Sequence, residues 1–131
     1  MAWQSNFPNR ALNKFPNYFN SFREFLIELN ETGIISRMET VSMIPPLFMD
    51  IKPGHHVIDL CAAPGSKTSL ILELLGGKGL LLANDLDPKR CYVLIHQLKR
   101  IGYYNFIISN KLGQALSKPM NVLNDKSIEF D

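Results

Sequence analysis

Two cysteines among 131 residues are too few for a disulfide framework, so Cys61 and Cys91 read as free thiols of a reducing compartment. Charge of one sign is also scarce. A net +2 at neutral pH does not by itself argue for a nucleic-acid partner. No apolar run approaches the roughly 20 residues that span a bilayer. The opening Met1-Ala2-Trp3-Gln4-Ser5-Asn6 has no signal-peptide pattern, and the expectation is an intracellular protein without a membrane segment. His55-His56 has no third ligand at metal spacing, which leaves no zinc site to assign. Internal repeats and low-complexity tracts are absent.

What is present is a globular composition, 46% hydrophobic and 20% charged, over a length that suits one domain with a real core. Its centre is the stretch Asp59-Leu60-Cys61-Ala62-Ala63-Pro64-Gly65-Ser66-Lys67-Thr68. Ahead of it, Pro53-Gly54 signals a turn, and His56-Val57-Ile58-Asp59-Leu60 reads as a buried parallel strand. Behind it, residues 69–75 place Leu70, Ile71, Leu74 and Leu75 on one helical face. The small-residue stretch is therefore a strand-to-helix elbow, where ligands of open α/β sheets bind.

Along the rest of the chain, residues 1–18 read as irregular, and Phe19, Phe22, Phe25, Leu26 and Leu29 recur at helical spacing up to a stop at Asn30. Ser36-Arg37-Met38-Glu39 fits a capping box, predicting a helix from Ser36 that Pro45-Pro46 interrupts or kinks. Leu80-Leu81-Leu82-Ala83-Asn84 reads as a second strand, leading to Asp85. Asp87-Pro88 reads as an N-cap and first helical residue, opening a helix to about Ile101 with Val93, Leu94, Leu98 and Ile101 inward. Residues 105–109 form a third strand, and a short strand is expected around Ile128. Right-handed crossovers place the three strands side by side with the first at one edge.

Three ligands compete for the elbow. A phosphate-cradling P-loop needs Gly ahead of Lys67-Thr68, where Ser66 stands, and lacks its first glycine as well. A dinucleotide fingerprint needs three glycines, of which only Gly65 is present. The third is a nucleoside cofactor without a phosphate to cradle. Ala62, Ala63 and Gly65 let such a ligand approach the backbone, and Asp85 at the end of the next strand accepts ribose hydroxyls. S-adenosylmethionine is the leading candidate for that third reading.

The run Asp59-x-Cys61-Ala62-Ala63-Pro64-Gly65-x-Lys67-Thr68, followed by Ala83-Asn84-Asp85-x-Asp87-x-x-Arg90, resembles the cofactor site of the Nol/Nop/Sun-domain RNA cytosine-5 methyltransferases. Segments 33–37, 41–47 and 90–97, with Ala2-Trp3-Gln4, resemble the eukaryotic tRNA branch of that family. The resemblance implies a partial Rossmann-like class I methyltransferase fold: about three parallel strands with flanking helices, after an N-terminal helical segment. Residues 1–50 would be a helical lead-in and 51–131 the N-terminal half of the methyltransferase domain. It implies S-adenosylmethionine as cofactor, held mainly through backbone by Cys61, Ala62, Ala63, Pro64, Gly65, Ser66 and Lys67, with Asp85 on the ribose. It implies RNA, most specifically tRNA, as partner and a nuclear or nucleolar location. The family's aspartate that contacts adenine has Leu112 in its place here.

The family's two reactive cysteines lie further along the chain than any residue present, and neither Cys61 nor Cys91 matches them. The expectation is a cofactor-binding portion with no catalytic residue of its own, inactive alone, with a second polypeptide as one source of the missing half. A non-catalytic module that binds RNA or a protein, or a truncated gene product, is the alternative.

Overall fold

The computed structural model describes residues 16–116. Two compact units are formed, Met1–Ile35 and Ser36–Asp131. The expected strand at Ile128 and the motif Ala2-Trp3-Gln4 lie outside the described residues.

In the first unit the described chain is one helix, α1 (Pro16–Glu31). It takes in residues expected to be irregular, with Pro16 at its first position, where a missing N–H and a fixed φ cost nothing. It ends where the Thr32 hydroxyl donates to the carbonyl of Glu28 at 2.9 Å and Gly33 turns the chain at φ 77°.

The second unit runs α2 (Thr40–Phe48), β1 (His56–Asp59), α3 (Ser66–Leu75), β2 (Leu80–Asn84), α4 (Pro88–Lys99), β3 (Phe106–Ser109) and a short 3-10 turn, Gly113–Leu116. The sheet is parallel in the order β1-β2-β3, as the crossover rule predicts. Asp59 pairs with Ala83, and Asn84 pairs with Ser109, so the carboxyl ends of all three strands lie level. Val57, Leu81 and Ala83 share a core with Ile71, Leu72 and Leu75 of α3 and Leu94 and Leu98 of α4. Both helices therefore cover one face of the sheet. Each fully buried leucine contributes about 1.5–3 kcal/mol through removal of apolar surface from water.

Several expectations change in detail. The helix predicted from Ser36 opens four residues later, at Thr40, with Glu39 as an N-cap in extended conformation that makes no side-chain cap. A capping box is worth about 1 kcal/mol, less than the packing of α2 on α3 with the Pro46 ring buried. Pro45 and Pro46 lie inside α2 without ending it. They remove only the donors to the carbonyls of Val41 and Ser42, and their fixed φ suits a helix. The turn of α2 closes beyond them through Met49 N–H to the Pro45 carbonyl at 3.2 Å.

Helix α3 starts three residues earlier than predicted and turns Thr68, Ser69, Ile71, Leu72 and Leu75 inward, leaving Leu70 and Leu74 half-buried. The leucine-rich run is apolar on most of its circumference, so periodicity does not choose the face. In α4, Val93 is 53% exposed and Cys91 takes the inward place assigned to it. Two of the strands are trimmed by a residue, β1 stopping at Asp59 and β3 starting at Phe106, while β2 keeps its predicted bounds.

Candidate cofactor site

The elbow leaves β1 at Asp59 and enters α3 at Ser66. Asp59 holds both ends of that turn. Its Oδ1 accepts from the Cys61 N–H at 3.3 Å and its Oδ2 from the Thr68 hydroxyl at 2.8 Å. The same hydroxyl lies 3.1 Å from the Ala62 carbonyl. Thr68 is fully buried, so this cluster sets the rotation of α3 and accounts for the face that α3 presents to the sheet.

Gly65 is the N-cap of α3, at φ 111° and ψ 7°, and offers no side-chain oxygen to the first-turn amides. A Cβ there would lie 3.0 Å from Leu94 Cδ1 and 3.2 Å from Gln97 Cγ. The small-residue requirement at this position therefore comes from the approach of α4 as well as from the backbone angle. Ala62 and Ala63 are buried, Ser66 is half-buried, and Cys61, Pro64 and Lys67 are exposed; the Ala63–Pro64 peptide is cis.

Asp85 is 4% exposed at the end of β2. Its Oδ2 accepts from the Ala63 N–H at 3.1 Å and its Oδ1 from the Asp87 N–H at 3.1 Å. Arg90 joins the two parts: its Nη1 is 3.6 Å from Asp85 Oδ2, and its Nη2 donates to the Ala63 carbonyl. Of the predicted site residues, the structure thus brings Ala63 and Asp85 together directly. Lys67 makes no ion pair with Asp85, and Leu112 is exposed.

A second clasp spans the strand ends. Asn84 donates through Nδ2 to the carbonyls of Leu60 at 3.1 Å and Lys111 at 2.9 Å, and its Oδ1 accepts from the Lys111 N–H at 3.0 Å. Asn110 donates to the carbonyls of Asp85 at 2.8 Å and Leu86 at 2.9 Å. Asp87 caps α4 as predicted, its Oδ1 accepting from the Lys89 N–H at 2.8 Å. Cys91 lies buried with its thiol 3.5 Å from the Asp85 carbonyl.

Arg90, Asn84 and Asn110 join the site without being among the residues that the sequence assigns to it. The one local signal is the Asp85-x-Asp87-x-x-Arg90 spacing, which puts the guanidinium one turn into α4, beside the carboxylate. Asn84 stands beside Asp85 in that same run, whereas Asn110 carries no such signal. Among the described residues, no group of three or more His, Cys, Asp or Glu stands ready to hold a metal, and no helix is long and apolar enough to cross a membrane.

Residues 46–130 match the family described as 16S rRNA methyltransferase RsmB/F. The multisite-specific tRNA:(cytosine-C(5))-methyltransferase of Saccharomyces cerevisiae is 43% identical over 115 residues, covering 84% of this chain and 17% of the relative. The tRNA (cytosine(49)-C(5))-methyltransferase of Pyrococcus abyssi is 41% identical over 92 residues, 70% of this chain and 30% of the relative. Among solved structures, NSun6 from Pyrococcus horikoshii with SFG superimposes with a TM-score of 0.60 at 30% identity, over 63% of this chain and 22% of that one. A methyltransferase homologue from the same organism gives 0.62 at 37%, over 66% of this chain and 28% of that one. This chain spans less than a third of each of these relatives. The family match and these superpositions agree, and the chain belongs to the RsmB/F (NOL1/NOP2/Sun) family of RNA cytosine-5 methyltransferases.

Proposed function

We propose that this chain holds S-adenosylmethionine at the elbow and contributes that site to methylation of cytosine C5 in RNA, with tRNA as the substrate class. The observation that carries the reading is the Asp85 Oδ2 bond to the Ala63 N–H at 3.1 Å, since it ties the loop and the ribose acceptor into one unit at the carboxyl end of the sheet.

The residues present fit the cofactor. Asp85 accepts two backbone hydrogen bonds and faces one cation, and a carboxylate has about four lone-pair positions, so an acceptor site remains on Oδ1 for a ribose hydroxyl. Cys61, Ala62, Ala63, Pro64, Gly65, Ser66 and Lys67 offer a loop of small or exposed residues against which a ligand can lie on backbone. The amides at the start of α3 are not capped by the side chain of Gly65, and their partial positive charge suits the amino-acid carboxylate of the ligand.

When bound, the cofactor supplies an electrophilic methyl group. This chain's own residues bind and orient: Asp85 takes the ribose, the elbow takes the amino-acid end, and Arg90 holds Asp85 and Ala63 in place. None of Cys61, Cys91 or Lys67 is assigned a proton or a covalent bond in the reaction. Residues 51–131 would then be one half of the methyltransferase domain and residues 1–50 its lead-in. The reactive thiol comes from the remainder of a longer chain or from a second polypeptide. The setting is intracellular, nuclear or nucleolar.

Titration calorimetry with S-adenosylmethionine tests the reading. Saturable binding is expected, weakened at least about tenfold by Asp85→Ala, as follows from losing a hydrogen bond to a charged acceptor, with circular dichroism confirming that the variant is folded. Absence of binding at millimolar ligand would overturn the cofactor site and favour a non-catalytic module. A matching methyl-transfer assay on tRNA reads whether the 131-residue chain turns over; none is expected.

A further inference from the structure

Charge is distributed unevenly in this nearly neutral chain. Between residues 88 and 116 stand Lys89, Arg90, Lys99, Arg100 and Lys111, with no aspartate or glutamate. The described residues before them, 16–87, carry more acids than bases. Helix α4 gathers most of those cations. At about 100° per residue, Lys89, Tyr92, Val93, His96, Lys99 and Arg100 fall within an arc of about 120°, opposite the buried Cys91, Leu94 and Leu98. Tyr92 is 74% exposed, between Lys99 and Lys89 on that arc. Arg90 points elsewhere, to Ala63 and Asp85.

A solvated helix face explains cations but not a tyrosine and a valine held out in water among them, with no acid within the helix. We propose that the outer face of α4 is an RNA-contact surface, its lysines on phosphates and Tyr92 stacking on an unpaired base. Charge complementarity commits the face to a polyanion, and an exposed aromatic between cations suits a polyanion that also carries flat rings. The stripe begins at Lys89, two residues beyond the N-cap that Asp85 helps to place, and runs about 15 Å from there to Lys99 at 1.5 Å per residue. RNA lying on it leads away from the cofactor end of the sheet along the flank. The proposal rests on the RNA reading above, and it names a surface for that partner that is distinct from the elbow.

The test is fluorescence anisotropy of an end-labelled tRNA transcript with the full chain, at salt from about 50 to 200 mM. Each phosphate contact adds about 0.7 to 0.9 to the slope of log affinity against log salt. The double variant Lys89→Gln, Lys99→Gln should flatten that slope by about 1.5, and Tyr92→Ala should weaken binding about tenfold with the slope unchanged. Lys52→Gln with Lys78→Gln, which also removes two charges, should leave the slope as it was.

An equal slope loss in that control, an unaltered slope in the α4 variant, or equal competition by poly-glutamate would overturn the surface. Calorimetry with S-adenosylmethionine on the same samples keeps the two readings apart. Wild-type chain that binds cofactor but not RNA sinks the surface and leaves the elbow. RNA binding lost in the α4 variant with cofactor binding retained supports the surface.

Discussion

Replacing Gly65 by alanine should damage the elbow more than the same change at Gly76, although both are glycines at the ends of the same helix. At Gly76 the backbone is at φ 57°, the centre of the left-handed region, and an added Cβ meets nothing within 4 Å. The cost there is the left-handed strain of an L-residue, about 1 kcal/mol. At Gly65 φ is 111°, well outside that well, and the Cβ would press on Leu94 Cδ1 at 3.0 Å and Gln97 Cγ at 3.2 Å. Strain of about 1–3 kcal/mol then adds to overpacking of about 1–3 kcal/mol against a leucine that is fully buried. The expected loss is about 3 kcal/mol, or about 2 M in urea midpoint for a slope near 1.5 kcal/mol/M.

Gly79 sets the upper end of the series: its Cβ would lie 2.1 Å from the His55 carbonyl oxygen, a backbone atom that cannot swing aside. Urea unfolding of the three variants, followed by circular dichroism, should rank them Gly76→Ala, Gly65→Ala, Gly79→Ala in rising damage. Equal midpoints for Gly65→Ala and Gly76→Ala would refute the claim that α3 and α4 meet at the elbow glycine.

Asn84→Ala should cost about 3 kcal/mol, because it removes three hydrogen bonds of a buried side chain at about 1 kcal/mol each. Hydrogen exchange should show the Lys111 amide losing protection, and retained protection there would remove the clasp from the account. The isolated chain should also self-associate. Among the described residues β1 pairs on one side only, and Val41 and Phe48 of α2 are 73% and 87% exposed, so the same unit carries an open strand edge and exposed apolar side chains. Light scattering that shows a clean monomer with a cooperative melt counts against that expectation.

The parts of the site legible in the chain are those carried by neighbours in sequence. Asp87-Pro88 announces the start of α4 because an N-cap and its proline are adjacent, and residues 80–84 announce β2 because a fully buried parallel strand is continuously apolar. The motif from Asp59 to Thr68 marks the elbow for the same reason, and its likeness to one family extends across most of the chain. The Ser36–Glu39 pattern puts the start of α2 one turn too early, because it is a weak local signal that packing outweighs.

What only the tertiary structure decided depends on residues far apart in sequence. The inward face of α3 follows from the Thr68 hydroxyl meeting Asp59, and no periodicity within a leucine-rich run selects it. Asn84 grips Lys111 across 27 positions, and Asp85 accepts from Ala63 across 22. The sequence determined that there is an elbow and which family the chain resembles, because both are written in local runs of residues. The structure decided that Asp85 is anchored by Ala63, Asp87 and Arg90, and that Lys89, Lys99 and Tyr92 turn outward on one face of α4. Both follow from how level strand ends and packed helices bring distant atoms within bonding distance.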